Sequence, residues 1–181
     1  MELNNETIRL AIKHWISDAK SAEEEYGHIS VWDTSSVTDM NRIFFDIKSF
    51  NEPIADWDVS NVTDMSYMFA NVKAFNQPIS DWDVSNVTDM DCMFLEATSF
   101  NQPIENWNVS NVTNMRCMFY GTIFNQPIGN WNVSSVTDME AMFSWGENFN
   151  QNLNLWNIQN VISFEGFSHG AFNWKLPKPN F

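Results

Sequence analysis

The chain has 181 residues, and its 23 acidic against 9 basic side chains give it a formal charge of −14. With 44% hydrophobic and 15% aromatic residues it is too apolar for a disordered acidic chain. The negative charge argues against binding nucleic acid or anionic lipid, and two cysteines are too few for a disulfide scaffold.

The N-terminal segment predicts one amphipathic helix over residues 6–25. Its apolar residues recur at helical spacing, with Asn5 as the N-cap and Gly27 just after the end. We expect this helix to cover the first of the repeats described below. The N-terminus lacks the basic start and the apolar run that are typical of a signal peptide. No apolar stretch approaches the roughly 18 residues of a membrane-spanning helix.

A repeat of about 25 residues organises most of the chain. One column of phenylalanines has separations of 25, 25, 24 and 25 residues, and these are Phe50, Phe75, Phe100, Phe124 and Phe149. The same spacing orders six tryptophans, namely Trp32, Trp57, Trp82, Trp107, Trp131 and Trp156. Valines follow it at Val37, Val62, Val87, Val112, Val136 and Val161. We therefore expect six stacked units.

Within one unit, Trp82 and Val84 alternate with Asp81 and Asp83, the pattern of a short strand with one buried face. From Val87 the apolar residues recur in steps of three, which indicates a helical or 3-10 return. Stacked units would then form parallel strands about 4.8 Å apart. The sequence predicts an α/β fold with an N-terminal cap over 1–28, repeats over 29–168 and a C-terminal cap over 169–181.

The segments WDVSNVTDMSYMF at 57–69 and FNQPI at 75–79 resemble the BspA-like leucine-rich repeats, also called the DUF285 bacterial surface-protein repeat family. The resemblance covers about residues 29–168. It implies a right-handed leucine-rich-repeat-like solenoid of six coils that is not an enzyme. It also implies adhesion or protein binding, at a cell surface, in secretion or on a virion.

One polar column is the candidate binding site. It takes the outward strand position of each unit, at Asp33, Asp58, Asp83, Asn108, Asn132 and Asn157. The column could be a plain solvated face, or a recognition strip for a basic partner or for cations. A calcium site needs six to eight converging oxygens, which a flat column does not offer, so no metal site is predicted.

Several other patterns are better explained by the repeat itself. The tryptophans share the inward face with valine, which argues against a sugar-stacking platform. A single threonine column lacks the paired array of an ice-binding surface. Cys92 and Cys117 occupy the same position in adjacent units, and we expect two free thiols. His14, His28 and His169 lie outside the regular repeats, so no catalytic residue and no cofactor are predicted.

The sequence therefore favours a protein-interaction or adhesion module with a rigid acidic and amide face. We expect its partner to be a protein with a basic surface, which would complement the acidic face. We expect no binding to nucleic acid and no insertion into a membrane. A self-assembling structural component, in a virion or a surface layer, is the alternative. A carbohydrate or ice binder is a lesser one.

Overall fold

The computed structural model describes residues 2–181, and its regular secondary structure lies near the N-terminus. Helix α1 spans Thr7–Ser17, helix α2 spans Ala19–Tyr26, and a 3-10 turn spans Ile29–Val31. Neither helix has the length and the apolar character that crossing a membrane requires.

The prediction of one continuous helix over 6–25 is wrong. Asp18 is extended, with φ −155° and ψ 86°, and its carboxylate accepts the N–H of Ser21 at 3.2 Å, which starts a second helix. The predicted N-cap is also wrong, because Asn4 accepts the N–H groups at the start of α1. Asn5 instead accepts the N–H of Thr38 at 2.8 Å and ties the helix to the first repeat.

The predicted α/β solenoid with parallel strands and a single capping helix is wrong as well. Residues 2–181 contain two short helices and no extended strand. Strand-like pairing between repeats is limited to isolated parallel bridges, at Asp39 with Asp64, Asp64 with Asp89, Asp89 with Asn114, Asn114 with Asp138 and Asp138 with Ser163. The alternating segment is too short for a strand, since Trp82 donates back to Ile79 at 3.3 Å and Val87 to Val84 at 3.0 Å. Turns therefore enclose it on both sides.

A row of backbone N–H groups joins each repeat to the next. Four alternate residues donate to four carbonyls 24 residues onward, for example from Met65, Tyr67, Phe69 and Asn71 to Asp89, Asp91, Met93 and Leu95, at 2.7–3.0 Å. We call this the donor row. The residues between donate locally, as Met68 does to Met65. Two donors in each repeat have positive φ. The non-glycine residues at the first of these positions are Arg42, Tyr67, Cys92, Cys117 and Ala141, and those at the second are Asp46, Asn71, Glu96 and Trp145.

The interior is made of stacked aromatic columns. Phe94 stacks on Phe69 with ring centroids 5.6 Å apart and on Phe119 at 5.8 Å. The six tryptophans are only 3–5% exposed, which confirms that their column faces inward. Five of them donate the indole N–H to a backbone carbonyl of the preceding repeat, as Trp107 does to Ile79 at 3.0 Å.

The closing segment continues this packing beyond the last full repeat. Trp174 packs edge-on against Phe143 and Phe149, and the N–H of Lys175 donates to the side chain of Asn150 at 2.7 Å. The same bond joins Asn150 to Asn125 one repeat earlier, at 2.9 Å. The division of the chain at residues 28 and 168 stays a prediction.

Candidate interaction surface

The six residues of the predicted site lie at the surface in equivalent positions. All six side chains are exposed. In each, a side-chain oxygen accepts the backbone N–H of the residue two positions later, at 3.0–3.3 Å, and these donors are Ser35, Ser60, Ser85, Ser110, Ser134 and Gln159. We call these six residues the outer column. The structure therefore places them along one series of identical turns.

These turns orient the side chains of the outer column and favour the ionised form of two of its aspartates. The hydroxyl and N–H of Ser35 lower the pKa of Asp33, and hydrogen bonds from Ser85 lower the pKa of Asp83. Both groups are thus fully ionised at neutral pH. An aspartate or asparagine that accepts its own backbone two residues on is a common turn former, so the turn alone also explains the residue type.

A second polar column was not singled out from the sequence. It consists of the bridge residues Asp39, Asp64, Asp89, Asn114 and Asp138, which are half-buried. We call it the inner column. Each accepts the N–H of the residue two positions later at 2.8–3.1 Å. Its 25-residue period was visible in the sequence, but nothing there distinguished it from the outer column.

In the inner column, the charge of one carboxylate affects the pKa of the next. Burial raises the pKa of Asp89, and the charges of Asp64 and Asp91 raise it further, against a lowering by the Asp91 N–H. The position after it holds Asn114, whose amide donates to Asp89 at 3.4 Å. An amide here relieves a repulsion that a fifth carboxylate would add.

Charge is unevenly distributed along the stack of repeats. Residues 1–100 hold 18 of the 23 acidic side chains and 6 of the 9 basic ones. After Glu165 the chain has no acidic residue, but it has Lys175 and Lys178. The outer column follows the same trend, from aspartate in its first three members to asparagine in its last three. The negative potential is therefore strongest over the first half of the molecule.

The two cysteines are buried free thiols, as the sequence predicted. Hydrogen bonding to Cys117, together with burial, raises the pKa of Cys92. Arg116 lies beside them, with a guanidinium nitrogen 3.9 Å from the Cys92 sulfur and 3.6 Å from the Asp91 carboxylate. Among the described residues, no three His, Cys, Asp or Glu side chains are grouped so that they could hold a metal ion.

The repeat pattern is matched by one family model, described as "Mycoplasma protein of unknown function, DUF285". The matches cover residues 11–123 and 103–179. The chain belongs to the DUF285 family. The resemblance carried by the WDVSNVTDM segments is thereby confirmed, although DUF285 is described without a function. No curated protein and no solved structure matches this DUF285 chain.

Proposed function

We propose that this DUF285 chain is a non-enzymatic protein-interaction module that presents its outer column to a basic protein surface. The observation that supports the proposal is the repetition itself: six exposed side chains, each held by the same turn, at one fixed position of each repeat. Three of them are carboxylates in the half of the chain with the greatest negative charge.

Rigidity makes such a surface suitable for binding. Side chains that are already hydrogen-bonded to their own backbone lose little conformational freedom when a partner docks. The stacked aromatic core beneath them fixes the distance from one repeat to the next. A negative surface also accelerates the approach of a basic partner, an effect that falls with salt.

The placement of the histidines is consistent with a role other than catalysis. His14 lies 3.2 Å from Glu25, and His28 shares a hydrogen bond of 2.8 Å with Ser30. His169 packs edge-on against Trp145 near the other end of the chain. Each of the three histidines therefore has a local structural contact.

The competing function is self-assembly into a larger structure. Its support is the charge distribution, because the acidic first half of one copy is complementary to the lysine-bearing end of another. Light scattering after size-exclusion chromatography separates the two proposals. A monomer at all concentrations supports the interaction module, and concentration-dependent oligomers support assembly.

The outer column is tested with a deca-lysine peptide as the basic probe, by titration calorimetry at low and at physiological salt. The variant Asp33→Asn, Asp58→Asn, Asp83→Asn removes three charges and should weaken binding about tenfold at low salt. The control removes three exposed charges elsewhere, by Glu23→Gln, Glu24→Gln and Glu147→Gln. Equal losses in both variants would show that only net charge matters and would refute a specific surface.

A further inference from the structure

The N–H groups of the donor row have carbonyl acceptors in every repeat except the last. At the final junction, four N–H groups donate to carbonyls of the next repeat at 2.7–2.9 Å, from Met139, Ala141, Phe143 and Trp145 to Ser163, Glu165, Phe167 and His169. The same arrangement recurs at the four junctions before it. All these bonds point in one direction along the stack, so the last repeat has donors with no following repeat to accept them.

The equivalent donors are the N–H groups of Phe164, Gly166, Ser168 and Gly170. None of the four donates to an acceptor within residues 2–181. Gly166 and Gly170 have φ of 67° and 75°, which continues the left-handed positions of the earlier repeats. The N–H groups of Phe167 and His169 between them donate locally, to the carbonyls of Phe164 and Gly166 at 3.0 and 2.9 Å. The four free N–H groups therefore form a row like the open edge of a sheet, which favours negative charge. We call these four groups the amide row.

The amide row borders an open cavity that has a lysine in its lining. This cavity has a volume of about 350 Å³, and its lining includes two residues of the row, Gly166 and Ser168, together with His169, Lys178 and Phe181. The ammonium of Lys178 donates to the Ser168 hydroxyl at 2.9 Å. Glu165 lies between two donors of the row and is exposed, but residues 166–181 contain two lysines and no acidic residue in a chain with a formal charge of −14. A positive charge and unpaired donors therefore face the same space.

We propose that the amide row binds an oxyanion, a carboxylate or a phosphate group, with Lys178 supplying the complementary charge. Backbone N–H groups without an acceptor are costly unless water or a ligand satisfies them. An ionised oxygen satisfies them with stronger hydrogen bonds than a neutral carbonyl does.

A second copy stacked end to end is the less favourable occupant. The carbonyls that it would offer are those of Asp39, Asn41, Ile43 and Phe45, equivalent to the acceptors in later repeats. The Asn41 carbonyl already accepts the Arg9 guanidinium at 2.7 Å, and α1 is tied to this repeat through the same arginine. The carbonyl edge is thus partly occupied within the same molecule.

The experiment follows the amide resonances of the full chain in nitrogen-proton correlation spectra. Sodium phosphate and sodium acetate are titrated separately against sodium chloride at constant ionic strength. Saturable shifts confined to residues 164–170 and their neighbours in the closing segment are expected with at least one oxyanion, and the two arms distinguish phosphate from carboxylate. Absence of any local, saturable shift with either anion would overturn the proposal.

Two lysine variants make the test specific. Lys178→Gln should raise the dissociation constant about two- to fivefold, as expected for one partly exposed charge. Lys175→Gln is the matched control, because its ammonium donates to the Phe172 carbonyl and it is not part of the cavity lining. Equal effects of both variants would contradict the assignment of Lys178. A dimer by light scattering, with shifts at residues 39–45, would assign the amide row to a second copy and overturn the anion site.

Discussion

Truncation of the central phenylalanine, by Phe94→Ala, tests whether the aromatic columns hold the repeats together. Phe94 is fully buried, and its ring lies 3.9 Å from that of Phe100 within its own repeat. It also stacks on Phe69 at 5.6 Å and Phe119 at 5.8 Å in the repeats on either side. The substitution therefore opens a cavity that is bordered by aromatic side chains of three repeats.

We expect Phe94→Ala to lower the free energy of unfolding by about 3–5 kcal/mol. The loss should lie in the upper part of that range, because each stacked aromatic pair adds about 0.5–1.5 kcal/mol to simple burial. Urea unfolding followed by tryptophan fluorescence measures it. Phe172→Ala, at a side chain that is 69% exposed, is the control and should change stability by no more than about 0.5 kcal/mol. A loss below about 1 kcal/mol for Phe94→Ala would refute the stacked core.

Two further variants test polar contacts in the repeats. Asp89→Asn should raise the free energy of unfolding at pH 7 by a few tenths to about 1 kcal/mol. Burial and the Asp64 charge raise the pKa of Asp89 in the folded chain. Ionisation of Asp89 therefore lowers the stability as pH rises through that pKa, and asparagine removes this loss. Below the unfolded pKa of 3.8 the gain should vanish, which urea unfolding at pH 3 and pH 7 checks. Trp107→Phe removes the indole donor to the Ile79 carbonyl at 3.0 Å and should cost about 1–3 kcal/mol, measured in the same way. An unchanged unfolding midpoint would show that this bond is energetically neutral.

The register of the repeats could be predicted from the sequence because one residue type in each column suffices to fix it. The tryptophans and valines recur at the same spacing, and an apolar residue that recurs in this way has to be buried against its copies. The burial of these columns and the exposure of the outer column both followed from that period. The family assignment rested on the same residues and is confirmed.

The backbone conformation could not be predicted in the same way. Alternation of Trp82 and Val84 is compatible with a strand, but also with a three-residue extended segment between two turns. The left-handed positions are held by Tyr67, Cys92 and Ala141, residue types that rarely adopt positive φ. Glycine, the residue type that such a position favours, occupies the left-handed positions of the repeats only at Gly121, Gly166 and Gly170. The local sequence therefore indicated a helical return where tertiary hydrogen bonds impose alternating turns.

The amide row was equally hidden, because it depends on the direction of backbone bonds and on no side chain. Gly166 and Gly170 replace Ala141 and Trp145 of the preceding repeat, which reads in the sequence as decay of the pattern. The structure shows instead that the left-handed geometry is kept to the last repeat. Drift of the residue types in a terminal repeat can thus leave the backbone conformation unchanged.

A stack in which the donor-row bonds point one way cannot satisfy both of its ends with copies of the same repeat. The first repeat is left with carbonyls, which require a donor, and the last is left with N–H groups, which require an acceptor. Arginine is a pure donor, and Arg9 supplies one to the Asn41 carbonyl at the first end. At the other end Lys178, which lines the cavity beside the row, is also a donor and cannot supply an acceptor. The acceptor has to come from water or from a ligand, and the positive charge beside the row favours an anion.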